Sequence, residues 1–271
     1  MKILKLFYYL IEIFILIFWK KSNNFLIITP RIISLIIKKV LIFNIRNKKF
    51  LTQNVRNLYD INTVFQIFGY EEYNLNNFIG RYKFFNKYLK SKKKLLIVDC
   101  GSNIGSSMRY FKEMFDRSKI VAIEPEKNNF EFSKLNVSSN DVEFINSAVS
   151  SSNKNFQIRK SKDPRAHSIN YLNKNKNNKK ALLIDQIVKE NKNCLPFIVK
   201  IDIEGAELDL FKKNINWLND FNIILIELHD WMLPNKSISS SFIKSLSLTL
   251  KKNKRDLIIQ GENLISIKIN K

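Results

Sequence analysis

The stretch from Leu95 to Gly105, LLIVDCGSNIG, constrains this chain more than any other. Leu95, Leu96, Ile97 and Val98 make an apolar run too short for a helix and without a period, which suits a strand buried on both faces of a parallel sheet. Asp99 ends that strand, Gly101 and Gly105 bracket a tight turn, and Ile104 to Asp116 alternates apolar and polar residues at helical spacing. Strand, glycine turn and helix start predict a ligand site at the carboxyl end of the strand, beside the free amides of the helix's first turn.

The turn reads D-x-G-x-x-x-G, with Ser102 and Asn103 after the first glycine, and so departs from the G-x-G-x-x-G of a dinucleotide site. A second buried run, Ile120 to Ile123, ends on Glu124 and Pro125. A carboxylate at the tip of the second strand can accept both hydroxyls of a ribose. Asp99, at the tip of the first, would repel a pyrophosphate and suits an ammonium or sulfonium group. S-adenosylmethionine carries both cations, a ribose and no phosphate. An Asp before a turn is by itself an ordinary turn residue; its pairing with Glu124 favours the cofactor.

At 271 residues there is room for one α/β domain and an extension, and the apolar fraction of 45% is enough for its core. The net charge of +22 points to nucleic acid or an anionic membrane. Enrichment in Lys, Asn, Ile and Phe along the whole chain is what a biased codon composition produces, and weakens that pointer. The N/D-P-P-Y/F signature for a flipped base is missing, so nucleic acid is not the expected partner. Cys100 and Cys194 lack the spacing of a zinc site and fit a reducing, cytoplasmic setting.

Three regions follow from the pattern. In residues 1–46, Leu6 to Trp19 is almost wholly apolar but short for a span of about 20 residues, and Glu12 lies in its middle. A second apolar stretch, Phe25 to Phe43, is broken at Pro30 and carries Arg31, Lys38 and Lys39. The expectation is basic helices lying on the inner face of a membrane, a peripheral contact, or else a helical hairpin packed on the domain or on a second subunit. Residues 47–94 read as a helical cap over the cleft, with Val64, Phe65, Ile67, Phe68 and Tyr73 on one apolar face and Glu71 and Glu72 beside it. Residues 95–271 form the cofactor-binding domain. Its third strand is expected over Val142 to Val149, with Asn146 and Ser147 facing the adenine, and Ser150 to Lys180, which holds His167 and Ser168, reads as a polar hairpin or loop insertion.

Pro196 to Glu207, PFIVKIDIEGAE, begins as another buried strand and then crowds Lys200, Asp202, Glu204 and Glu207 around Gly205. Burying charge is costly unless it is paired or used, so several charges at a strand end mark a site. A fifth strand, Ile223 to Leu228, runs into Glu227, His229 and Asp230. In a doubly wound sheet the first, fourth and fifth strands are neighbours, so Asp99, Asp202, Glu227 and His229 should meet around one crevice. For His229 the plain alternative is a satisfied core histidine. A helix over Ser239 to Lys252 and a hairpin turning at Gly261, Glu262 and Asn263 close the chain.

In this order and spacing, DCGSNIG, AIEPE, KIDIEGAE and IELH resemble the FkbM-type S-adenosylmethionine-dependent methyltransferases, from about residue 60 to the C-terminus. The resemblance implies a class I methyltransferase (Rossmann-like) fold, a doubly wound, mostly parallel α/β sheet with a C-terminal antiparallel hairpin, here behind an N-terminal helical extension. It further implies methyl transfer to an oxygen, often a hydroxyl of a sugar, glycan or secondary metabolite, so the expected partner is a small-molecule or glycan acceptor. By position, Asp99, Gly101 and Gly105, with Ser102 and Asn103 between them, would line the methionine part of the cofactor, and Glu124 would hold the ribose. Asp202 would lie against both cofactor and acceptor.

Methyl transfer is an in-line displacement in which alignment is the main contribution, and a sugar hydroxyl needs a base within hydrogen-bond reach. His229 and Asp202 are the candidate bases, and Lys200 is placed to steady developing negative charge. A divalent metal on Asp202 and Glu227 is a chemically sensible variant. The rival readings are a nucleic-acid methyltransferase and a membrane-attached scaffold that binds the cofactor without turnover.

Overall fold

The computed structural model describes residues 23–159, 161, 168–172, 179–250 and 254–269. Two compact units divide the chain, Met1–Tyr73 and Asn74–Lys271.

The first unit departs from the expected helices. Strands β1 (Phe25–Ile27), β2 (Lys39–Asn44) and β3 (Lys49–Asn54) form an antiparallel sheet in that order, with a short helix α1 (Arg31–Ile37) between the first two. Pro30 stands just ahead of α1, and Lys38, in the left-handed conformation, ends it. The apolar run therefore never becomes one helix. In β2, Val40, Ile42 and Asn44 alternate inward, a period of two that the surrounding apolar residues hide in the sequence. Helix α2 (Leu58–Val64) continues into a π turn, Phe65–Gly69, and Val64, Phe65, Ile67, Phe68 and Tyr73 are all buried, as the apolar face required. Phe68 meets Phe25 edge-on at 5.0 Å. Glu71 is buried and accepts from the amides of Asn24 (2.9 Å) and Asn23 (3.4 Å). The Leu6 to Trp19 run lies outside the described residues, and among those described no helix is long and apolar enough to cross a membrane.

The second unit is built on a seven-stranded sheet of strands β4 (Leu95–Cys100), β5 (Ser118–Ile123), β6 (Val142–Ile145), β9 (Leu195–Ile201), β10 (Ile223–Glu227), β11 (Arg255–Gln260) and β12 (Asn263–Lys268). Its order is β11-β12-β10-β9-β4-β5-β6. The five strands from β10 to β6 are parallel, and β12 and β11 run antiparallel at one end. The order reverses between β4 and β9, where a doubly wound sheet opens a crevice at its strand tips. Every residue of β4 is buried, the signature of a strand covered on both faces.

Helices α4 (Ser106–Met114), α5 (Lys127–Asn136), α6 (Ile184–Glu190), α7 (Glu207–Leu210) and α8 (Ile238–Leu250) join these strands. Val98, Val199, Ile201 and Ile226 pack with Trp217, Phe221 and Phe242 into one apolar cluster, each such side chain contributing on the order of 1.5–3 kcal/mol by leaving water.

Two local expectations change, and the hairpin expected in the insertion is present. Strand β6 stops at Ile145, and Val149 instead bridges to Leu182. The insertion contains a two-stranded hairpin, β7 (Asn155–Arg159) and β8 (Ser168–Leu172); His167 lies outside the described residues. Helix α3 (Lys83–Lys90), just before β4, does not cover the strand tips. Its Tyr88 hydroxyl lies 2.9 Å from the Pro196 carbonyl and bonds Asn222, both at the amino ends of strands, and its ring sits 5.3 Å from Phe197.

Candidate active site

The glycine turn is shaped by how closely two loops approach. Gly101 has φ of +81°, and a Cβ there would fall 1.8 Å from the Asp202 carbonyl oxygen, so the position admits only glycine. The Asp202 amide bonds the Cys100 carbonyl at 3.1 Å, which locks the tips of β4 and β9 together. Gly105, with φ of +87°, opens α4 and packs against Ser133 of α5.

Beneath the turn lies a buried polar frame. Asp99 is fully buried; Ser107 Oγ donates to its Oδ2 at 2.6 Å, and Lys200 Nζ stands 3.3 Å from its Oδ1. Lys200, itself 2% exposed, also donates to the Gly101 carbonyl at 2.7 Å and pairs with Asp202 Oδ2 at 3.3 Å. One ammonium therefore ties both strand tips and the turn. Asp99, Ser102, Gly105 and Lys200 are buried, so they act on a ligand by holding the loop, whereas Gly101, Asn103, Asn146, Asp202 and Glu227 are half-buried and able to touch one.

Glu124 stands between these two groups. Its Oε2 accepts from the Asn103 amide and its Oε1 from the Glu126 amide, both at 2.9 Å. A carboxylate has about four lone-pair sites, so two remain for a ribose. Burial pushes its pKa up to about 7, against the pull of the two amides and Lys200. Asn146 donates to the carbonyls of Glu124 (2.9 Å) and Pro125 (3.0 Å) and so stays beside that carboxylate. Ser147 turns away: its hydroxyl donates to the backbone carbonyl of Lys180 in the insertion at 2.8 Å. Gly101, Asn103, Glu124 and Asn146 thus fit a ligand with a ribose and no phosphate.

The second cluster lies at the tips of β9 and β10. His229 Nδ1 is 2.7 Å from Glu207 Oε1, and its Nε2 faces Glu204 Oε2 and Glu227 Oε1 at 3.5 Å each and Asp202 Oδ1 at 3.7 Å. Burial opposes charge on the ring, but the Glu207 bond and the carboxylates of Asp202 and Glu204 outweigh it and lift the pKa to about 10. At neutral pH the ring is then an imidazolium, whose two nitrogens both donate. Burial, with Asp202 next, raises the Glu227 carboxyl.

Sequence reasoning named Asp202, Glu227 and His229 for this place but gave no role to Glu207, whose meeting with His229 depends on how α7 packs. It passed over Trp231 altogether. That indole is 73% exposed with its ring centre 6.4 Å from the imidazole, and an aromatic two positions beyond the strand-end histidine was the available signal. The loop bearing it is firmly held: Met232 and Leu233 amides return to the His229 carbonyl, and Asp230 caps α8 through the Ser239 amide at 3.0 Å. A cavity of about 320 Å³ opens nearby, lined by Lys154, Ile169, Tyr171, Gly205, Asp209 and Lys212 among others.

A doubly wound sheet with this strand order, a glycine turn after the first parallel strand and an acid at the tip of the second is the architecture of the class I methyltransferase fold, whose cofactor is S-adenosylmethionine. More particularly, the family described as "Methyltransferase FkbM domain" matches residues 99–252, more than half of the chain, and the chain belongs to that family. No curated protein matches.

Among solved structures, the chain is similar to the N-terminal domain of human METTL16 at 14% identity and a TM-score of 0.40, covering 71% of this chain and 68% of that one. It is also similar to the O-methyltransferase from Bacillus cereus in complex with SAH, at 12% identity and a TM-score of 0.38, covering 78% and 90%. Membership rests on the family match and the sheet.

Proposed function

We propose that the enzyme methylates a hydroxyl oxygen of a sugar or glycan. The observation that carries this reading is Trp231, a large apolar face left in water beside the His229 cluster on a loop pinned at both ends. An indole in that position offers a flat surface for the apolar face of a sugar ring, at little entropic cost because the loop is already ordered. The cavity beside Gly205 supplies the second wall: Leu233, two residues beyond Trp231, packs against Gly205, which lines it. Its polar rim of Lys154, Asn170 and Lys212 suits an acceptor rich in hydroxyls.

The cofactor supplies an activated methyl on a sulfonium; the acceptor oxygen forms the new bond to carbon while the sulfur keeps the electron pair of the bond that breaks. The protein aligns oxygen, carbon and sulfur and receives the hydroxyl's proton. Asp202, 25% exposed, with one oxygen steadied by Lys200, is the proton acceptor, and His229 holds the other oxygen by charge. Lys200 positions the turn from beneath; being buried, it does not reach the acceptor.

The test is transfer of labelled methyl from S-adenosylmethionine to fractionated cell-envelope glycans, phenols and RNA in parallel. Glycan labelling is expected, with Trp231→Ala raising KM at least tenfold while kcat stays within about twofold. Preferential labelling of phenols or RNA, or a Trp231→Ala variant with unchanged KM, would overturn the reading.

A further inference from the structure

The tips of β9 and β10 bring two carboxyl groups and a buried histidine within reach of one point. Around Lys200 and His229, among the described residues, stand the carboxyl groups of Asp99 at the tip of β4, Asp202, Glu204 and Glu227 at the tips of β9 and β10, and Glu207 on α7. Like charges a few ångströms apart and largely out of water repel strongly unless a cation joins them. Oxygens of Asp202 and Glu227 and a ring nitrogen of His229 lie within 4.8 Å of one another.

The second observation is the histidine itself. Its side chain is 1% exposed, and it is clamped at Nδ1 by Glu207, whose carboxylate is completely buried. Its Nε2 makes no hydrogen bond among the described residues and is aimed at three carboxylate oxygens, each 3.5–3.7 Å away. A buried imidazole held at one nitrogen by a carboxylate, with the other nitrogen turned to a ring of oxygens, is how proteins orient a metal-bound histidine. Ligand atoms about 2.1 Å from a shared cation stand about 3.0 Å apart when adjacent and about 4.2 Å when opposite. The separations of the His229 nitrogen from Glu227 and Asp202, 3.5 and 3.7 Å, fall between these limits.

We infer that Asp202, Glu227 and His229 bind a divalent first-row cation, which displaces the proton from His229 Nε2 on binding, with Glu207 as the residue that positions the histidine. Two carboxylate oxygens and one imidazole nitrogen suit an ion of intermediate hardness such as Mn²⁺. Three protein ligands leave positions open for the acceptor. The inference deepens the hydroxyl-methylation reading and rests on it for its purpose: a bound cation makes a sugar hydroxyl more acidic and so eases transfer of its proton to Asp202.

The test needs no acceptor. Protein stripped with a chelator is titrated with Mn²⁺ by calorimetry and by the loss of the free-ion paramagnetic resonance signal. One equivalent is expected to bind. Asp202→Asn and Glu227→Gln should each weaken binding at least tenfold, and Glu207→Gln about tenfold through the loosened imidazole. Glu143→Gln, at a surface carboxylate paired with Lys119, should leave the affinity unchanged. Thermal melts confirm that each variant is folded. Wild-type protein that binds Mn²⁺ no better than the Asp202→Asn/Glu227→Gln double variant would overturn the inference. Specific Mn²⁺ binding without glycan labelling would instead leave the metal site standing and remove the acceptor reading.

Discussion

At the scale of single residues, the site depends on contacts that tolerate no extra atom. Gly101 is the clearest: its missing side chain is what lets the β4 turn pass over the Asp202 carbonyl. Gly101→Ala must either force the two loops apart or hold an alanine at positive φ, and together these cost about 2–4 kcal/mol. Urea unfolding should show that loss, and calorimetry should show S-adenosylhomocysteine binding at least tenfold weaker. An alanine variant within about 0.5 kcal/mol of the parent would mean the loops are free to part. Lys200 was legible in the sequence as a charge out of place in a strand, but not what it does. Its hydrogen bond to Gly101 and its ion pairs with Asp99 and Asp202 exist only because β4 and β9 lie side by side.

At the scale of elements, strands buried on both faces were readable and the amphipathic ones were not. β4, β5, β9 and β10 announce themselves as short apolar runs ending in carboxylates, because a strand between two helical layers has no polar face to disguise it. β2 and β3 belong to a small antiparallel sheet, and their alternation dissolves into an Ile- and Lys-rich background that reads equally well as helix. Helix α3 was correctly expected before β4 but placed at the wrong end of the sheet. Tyr88 fixes it at the amino ends, where burial also pushes the phenol up to about 12. Tyr88→Phe removes the one hydroxyl proton that the Pro196 carbonyl and the Asn222 amide oxygen share and should cost about 1–3 kcal/mol in unfolding measurements. Because this helix lies far from the strand tips, kcat/KM should not change; a tenfold loss of activity would contradict its placement.

For the whole molecule, stability is tied to pH through buried carboxyls, Glu124 and Glu227 among them. Glu124 titrates at about 7 in the folded chain against an ordinary 4.5, chiefly because it is buried, so between those values the folded state holds a proton that the unfolded state has released. Stability contributed by that proton is complete below about 4.5 and is lost as the pH rises through about 7, a change of about 3 kcal/mol at most. Urea unfolding at pH 5 and 7.5 should show the decline in the parent and a smaller one in Glu124→Gln, where only the Glu227 contribution remains. Equal slopes in the two proteins would show that Glu124 is already ionised in the fold. The overall charge of +22 plays no part in that linkage and did not decide the fold.

By itself the amino-acid sequence determined the order of the parallel strands, the glycine turn and the family, since these rest on local runs of residue type whose physics is complete within a few positions. Only the tertiary structure decided which carboxylates face a ligand and which serve as frame. It was the packing of α7 that delivered Glu207 to His229, and the Trp231 loop that left an indole in water. Burial and charge pairing are properties of neighbours in space, and residues such as Glu207 and His229, 22 positions apart, become neighbours only when the sheet has closed around them.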